Sequence, residues 1–278
     1  MDSLTERLRQ LDQLPAEPGV LVELSVALSQ LEVSSAEIER IISLDSALAL
    51  AVLRRSNSAA YGASSCTSSL CDAVTRLGKS DLLRIAAAQL REGPLDDAGR
   101  SYGLHSGEAW RAARAGALAA ASIGTRTDLA APGVCFTAAL LRDCGKLAMD
   151  YLVAVGELES ALIARPADAN MIELERSAFG FDHAEVGAEL ALQWGLSIEL
   201  AEAIRHHHAP PSEGGCPLVD IVHCADAVCS MLGLGVGLDG LGYPLDADAQ
   251  GRLGLGLEEM YFYMSELAVE LEGLDPAC

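Results

Sequence analysis

The sequence predicts an all-α protein, a two-lobe helical bundle, on three observations. Apolar residues make up 50% of the 278 residues but aromatics only 4%, a bias that suits Ala/Leu-rich helices and disfavours β-sandwiches, whose strands take β-branched and aromatic side chains. Apolar positions recur at helical spacing through most of the chain. One stretch rich in breakers and acids, Glu92-Gly93-Pro94-Leu95-Asp96-Asp97-Ala98-Gly99, divides it, and a linker is placed at 93–104.

The first lobe, residues 1–92, reads as about five helices. Val20, Leu21, Leu24, Ala27, Leu28 and Leu31 trace one amphipathic face. Ser34-Ser35-Ala36-Glu37 offers a capping box for a helix running to about Leu44, and Asp45 can cap the next, through Leu48, Ala51, Val52 and Leu53. Tyr61-Gly62-Ala63-Ser64-Ser65 reads as a loop. Ser68 or Ser69 opens a helix that Gly78 ends, and Ser80-Asp81 starts another toward Leu90.

The second lobe, residues 105–232, carries helical patterns at about 106–123, 134–152, 157–165, 170–178, 183–194, 197–208 and 217–232, with Asp182-x-x-Glu185 a second capping box. Residues 233–256 are Gly-rich and irregular. A last helix, about 257–272, turns Met260, Met264, Leu267 and Leu271 to one side, so residues 233–278 should pack back on the body.

Charge narrows the partners. The balance is 19 Lys+Arg against 40 Asp+Glu, a net −21, and the basic residues do not cluster, so nucleic acid and anionic membrane surfaces are disfavoured partners. The N-terminus has no basic n-region or apolar h-region, and nowhere do about 18 apolar residues run without a charge, which points to a soluble, cytoplasmic protein. The eight cysteines include no CxxC pair and read as free, mostly buried thiols.

Four of the six histidines, His183, His206, His207 and His208, flank one helical hairpin. Imidazoles and carboxylates inside an apolar bundle are costly unless paired or bound to metal, so His183, His207, His208, Asp143 and Asp226 form either a metal site or a hydrogen-bonded core network.

The order of these motifs resembles the HD superfamily of metal-dependent phosphohydrolases, whose ligands are a first His, a His-Asp pair, further His residues and a last Asp. Leu140-Leu141-Arg142-Asp143-Cys144-Gly145-Lys146-Leu147 looks like the His-Asp segment, Gly180-Phe181-Asp182-His183-Ala184-Glu185 like the next motif, Ala203-Ile204-Arg205-His206-His207-His208 like the paired-His segment, and His223-Cys224-Ala225-Asp226-Ala227 like the closing Asp motif. Asp45-Ser46-Ala47-Leu48, Leu53-Arg54-Arg55-Ser56-Asn57-Ser58-Ala59-Ala60-Tyr61-Gly62 and Ser68-Ser69-Leu70 are similar to the N-terminal signature of the HDOD family, the HD-related output domain of bacterial signalling. The resemblance implies an all-helical two-lobe domain with an HD-like core in the second lobe.

Two departures bear on function. Ala112, in Trp110-Arg111-Ala112-Ala113, stands where the first His is expected, and Arg142 replaces the His of the His-Asp pair. Alanine has no lone pair and arginine is a permanent cation without an acceptor, so one metal position keeps only Asp143 and Asp226. The set Asp143, His183, His207 and His208 could still hold zinc, iron or manganese. Arg142 either pairs with Asp143 or Asp226, replacing a missing metal's charge, or faces solvent. Lys146 resembles a phosphate-side lysine of some HD enzymes, and three residues beyond Asp143 it is also placed to pair with that carboxylate. Gly242-Tyr243-Pro244 spells the tripeptide of the HD-GYP relatives but lies beyond Asp226, out of position, and reads as a turn. Asn57, Ser58 and Tyr61 read as structural.

The resemblance thus implies a non-catalytic bacterial signalling module that requires no cofactor, holds at most one divalent metal, and binds a signalling protein or a small ligand such as a nucleotide. The alternative is a cyclic dinucleotide or nucleotide phosphohydrolase with a reduced metal set.

Overall fold

In a computed structural model the described residues are 4–9, 11, 14, 16–30, 32–61, 66–89, 102–103, 108–154, 170–236 and 243–272. Among them the regular structure is entirely helical: fourteen α-helices and one short 3-10 turn at Ala59–Tyr61, with no strand. The linker at 93–104, apart from Tyr102 and Gly103, and the helix expected at 157–165 lie outside the described residues.

Helix α1 spans Leu4–Arg9, α2 Pro18–Ser29, α3 Ser35–Ile42, α4 Ser46–Ser56 and α5 Leu70–Gln89. The Asp45 carboxylate caps α4 by accepting from Leu48 N, and Ser34 Oγ accepts from Glu37 N at the start of α3. The Ser34 box is only half made, because the Glu37 carboxylate turns instead to Arg40 at 2.9 Å. Gly78 has φ 68° and ψ 171°, non-helical angles that glycine adopts without strain, so α5 is two helices joined across a kink at Gly78, as expected for 68–78 and 80–90. Asn57 closes the loop after α4: its amide donates to Thr67 O and accepts from Thr67 N, at 3.0 and 2.8 Å.

Helix α6 spans Glu108–Thr127, α7 Pro132–Leu141, α8 Cys144–Ala154, α9 Met171–Phe179, α10 His183–Gln193, α11 Ile198–His206, α12 Pro217–Met231, α13 Ala247–Arg252 and α14 Leu257–Glu272. The single helix expected over 134–152 is therefore two, broken at Arg142-Asp143, and that break buries the Arg142 side chain and leaves Asp143 partly buried beside it. A short helix, α13, also interrupts the region read as irregular, its first turn capped by Asp246 accepting from Ala249 N. The capping box of α10 forms as expected from Asp182 and Glu185.

One continuous apolar core runs from α1 to α14, including Leu24, Leu48, Leu140, Ile204 and Val222, and Met260, Tyr263 and Leu267 seat α14 on it. Polar bonds tie the early helices to the later ones: Ser46 Oγ donates to Leu140 O at 2.8 Å, and Thr137 Oγ1 accepts from Leu70 N at 3.0 Å. The buried face of α6 is almost all alanine and glycine, which lets its neighbours approach closely. The tightest crossing joins α8 and α10. A Cβ on Gly145 would lie 1.9 Å from His183 O and 2.7 Å from Gly187 N.

That crossing fixes where His183 stands relative to Asp143. Gly145→Ala should therefore cost about 3 kcal/mol or more through overpacking. Urea denaturation checks this; a loss below about 1 kcal/mol would mean the crossing is not tight.

Candidate functional site

The site lies where three chain segments end or break against the middle of a fourth helix. The α7–α8 break supplies Arg142 and Asp143, the first residue of α10 supplies His183, the end of α11 supplies His207 and His208, and the middle of α12 supplies Asp226. Among the described residues Asp143, His183, His207 and His208 each offer a donor atom, all within 4.8 Å of one another.

Arg142 is the largest fully buried side chain, 2% exposed, and does not face solvent. Its Nε donates to Asp226 Oδ1 at 2.7 Å and lies 3.4 Å from Asp143 Oδ2; its Nη1 donates to Ala139 O at 2.9 Å and Nη2 to Ala112 O at 3.3 Å. Burial works against the guanidinium charge, but the Asp226 and Asp143 carboxylates outweigh it and hold its pKa above the ordinary arginine value. Room for the group comes from Gly116, where a Cβ would stand 2.3 Å from Nη1. Ala112 contributes its backbone carbonyl rather than a side-chain ligand.

Two further contacts partner the remaining acids. Lys146 Nζ lies 3.0 Å from Asp143 Oδ1, and burial, which would raise the Asp143 pKa, is overcome by Lys146, Arg142, His207 and His183, leaving that carboxyl well below its usual range. His183, completely buried, donates its backbone N–H to Glu175 Oε2 at 2.9 Å and places Nδ1 2.8 Å from the same oxygen. Burial opposes the His183 cation, yet Glu175 prevails and raises its pKa; Glu175, itself opposed by burial, is held below its ordinary value by His183. Tyr102 Oη donates to the other Glu175 oxygen at 2.7 Å.

His207 and His208 are held neutral. Burial depresses His207 to about 4 and takes His208 well below its ordinary value, with His207 and His183 adding to the effect on His208. His207 Nδ1 lies 2.7 Å from Ile204 O and so carries the proton, which leaves Nε2 as a bare lone pair 3.8 Å from Asp143 and without a hydrogen-bond partner. His208 Nε2 is 3.0 Å from His183 Nε2, and its Nδ1 also lacks a partner. His223, quoted in the closing motif, is a support: Nδ1 donates to His207 O at 2.7 Å and Nε2 accepts from Asp246 N at 2.8 Å. His206 lies off the site, 3.4 Å from Glu202.

A metal fits these residues chemically. An orphaned imidazole lone pair, two more imidazoles and a carboxylate form a donor set suited to zinc, iron or manganese, and the Glu175–His183 bond is the outer support such a ligand takes.

Two site residues escape the sequence reading. Tyr243 stacks on His208, ring centroids 3.6 Å apart at 20°, so the tripeptide read as a stray turn sends its tyrosine into the site; its Gly242 lies outside the described residues. The contact joins separate parts of the chain, and motif position gave no sign of it. Glu175 left a weak sign: it falls four residues after Met171 and four before Phe179, on the inward face of α9. The described cysteines are free, four of them buried. The cavity beside Arg142, Asp143, His208, Asp226 and Tyr243 measures about 50 Å³, room for an ion and a few waters.

Two outcomes follow. Arg142→Met leaves Asp226 buried without its partner and should cost about 3–5 kcal/mol, while the double variant Arg142→Met/Asp226→Leu recovers much of that loss; equal losses in both by urea titration would rule out the pairing as the cause. His207 keeps a folded pKa of about 4 against 6.5 for the ordinary side chain. Above pH 6.5 the ring is neutral in both states; as pH falls toward 4 the unfolded chain takes a proton that the folded one refuses, so stability drops, by about 3 kcal/mol at the lower end. With chelator present, His207→Gln should flatten the fall of the urea midpoint between about pH 6.5 and pH 5, and an unchanged slope would contradict this.

Comparison with known proteins agrees with this architecture. The chain is similar over 92% of its length, at 25% identity and TM-score 0.69, to the MmoQ response regulator of Methylococcus capsulatus Bath, 99% of which it covers. A virulence factor of Campylobacter jejuni shares the fold at 19% identity and TM-score 0.69, with 91% of this chain and 98% of that one covered. An uncharacterized protein of Treponema pallidum is 25% identical over 234 residues, 80% of this chain, which spans only 43% of that protein's length. The HDOD domain profile matches residues 14–210, helices α2 to α11 with His183, His207 and His208 among them, and the chain belongs to the HDOD domain family.

Proposed function

We propose that this chain is a binding module of bacterial signalling and not a phosphodiesterase. The observation that carries the reading is Arg142, whose guanidinium lies between Asp226, Asp143 and the Ala112 carbonyl. There it supplies a fixed positive charge at the position where the superfamily resemblance expects metal ligands. With Arg142 facing Asp226 and Lys146 facing Asp143, these two carboxylates have cationic partners from the chain itself, and Glu175 hydrogen-bonds His183. The likeness to a response regulator supports a role in signalling. Its partner on this reading is another signalling protein, with a nucleotide the small-ligand alternative.

The second reading, a phosphohydrolase working on a single ion, is favoured by the cluster of Asp143, His183, His207 and His208. A metal held there would act as a Lewis acid toward a phosphoryl oxygen or lower the pKa of a bound water. On either reading the chain's own groups have defined tasks. Glu175 orients His183 and favours the proton on Nδ1, the Ile204 carbonyl directs the His207 lone pair inward, and Tyr243 covers His208.

The purified chain, loaded in turn with zinc, iron(II) and manganese, should release no product from cyclic di-GMP or from bis(p-nitrophenyl) phosphate. Stoichiometric metal together with turnover that Asp143→Ala abolishes would overturn the binding-module reading.

A further inference from the structure

Helix α14 is apolar on two sides. Met260, Tyr263 and Leu267 seat it on the core, yet its outer side carries Leu257, Tyr261, Phe262 and Val269, which are 69%, 60%, 41% and 70% exposed. Single exposed apolar residues are ordinary on a protein surface. These are concentrated: of the eleven large apolar side chains exposed among the described residues, four stand on this one helix. Leu257, Tyr261 and Val269 recur at multiples of four, with Ser265 in the remaining turn, and so form one i±4 ridge about 18 Å long. Such a ridge is the unit that packs into the groove of another helix, and apolar residues on both sides are the pattern of a helix covered on both.

Charge indicates what covers it. The sequence of α14 holds five glutamates and no lysine or arginine. Two cations come from α6: Arg126 lies over the Phe262 ring at 3.8 Å, and Arg114 acts on Glu270. The helix remains acidic. A second copy of the chain would set one row of glutamates against another, and an anionic lipid surface would be repelled by the same groups. A helix whose own apolar stripe is flanked by lysine and arginine meets both features, since the stripe covers the ridge and the cations answer the carboxylates.

We infer that the outer face of α14 is a docking surface for a basic amphipathic helix of another protein. The inference gives the protein partner of the binding-module reading a surface and a chemistry, and to that extent rests on it. The face itself shares no residue with the histidine cluster.

The test uses the full chain and a synthetic peptide of about eighteen residues, long enough to span the ridge, with leucines on one helical face and lysines flanking them. Fluorescence anisotropy at about 0.15 M salt, where general attraction to an acidic chain is screened, shows saturable binding. A peptide of the same composition in scrambled order binds at least about ten-fold more weakly, and the ordered peptide loses as much on Leu257→Ser/Tyr261→Ser. Both of those side chains are exposed, so the variant keeps the thermal midpoint of the parent. Should it fold poorly, Val269→Ser repeats the test at the other end of the ridge. Val22→Ser/Val26→Ser, which changes an exposed apolar pair on α2, leaves binding unchanged. The inference is overturned by no saturable binding at about 1 mM peptide, by equal binding of the scrambled peptide, or by binding that the α14 variants leave intact. A dimer of the free chain that Leu257→Ser/Tyr261→Ser dissociates in sedimentation velocity would also overturn it, assigning the face to a second copy. Hydrolysis of a phosphodiester by the metal-loaded chain would remove the binding-module reading by a separate assay, while the peptide titration still decides docking on α14.

Discussion

The bond from Arg142 to Asp226 is the constraint around which the second half of the fold is arranged. A charged group this deeply buried persists only with its partners in place, and those partners come from three helices: Asp226 on α12, Ala112 on α6 and Ala139 on α7. Gly116 gives up its side chain so that the guanidinium can lie against α6. The break between α7 and α8 directs Arg142 inward and turns Asp143 toward the histidines. An arginine cannot be removed by a chelator, nor titrated at any pH a cell reaches, so this half of the pocket has a constant charge whatever the metal supply.

The other half is adjustable. His183, His207 and His208 form a chain of rings with centroids 3.8 to 5.7 Å apart, of which His183 favours the cation and the other two the neutral form. Three like cations at that spacing would repel one another strongly in a dry interior, and of the three rings it is His183, beside Glu175, whose charged form is favoured. The site combines a fixed positive charge on one side with imidazole lone pairs on the other.

Much of this was legible in the sequence. Helical spacing located α2 to α4, α6 and α9 to α12 within a few residues, and Asp45 and Asp182 marked helix starts by local chemistry alone. Asp143, His183, His207 and His208 could be grouped because motif order places them. The α7–α8 break was not legible, since Ala, Leu and Met on both sides of Arg142-Asp143 continue the helical pattern and the interruption is set by tertiary packing. Tyr243 and Glu175 were missed for a related reason: each acts through a contact with a distant part of the chain, and spacing carries no information about such contacts. The open question of whether Arg142 faces solvent or a carboxylate was likewise beyond the sequence, because it depends on the space left by Gly116.

His223 ties the site to the far end of the molecule. One edge of its ring holds the His207 carbonyl and the other the amide of Asp246, the residue that caps α13, while the opposite end of α13 is anchored by Arg252 gripping Asp220 with two bonds of 2.7 and 2.8 Å. His223 and Asp220 lie one turn apart on α12. The ring thus acts as a strut: the His207 turn cannot shift without pulling on the cap of α13, and α13 leads directly into α14, where Leu257, Tyr261 and Val269 face outward. Whatever occupies the histidine cluster is mechanically coupled, through one imidazole, to the outer surface of the C-terminal helices.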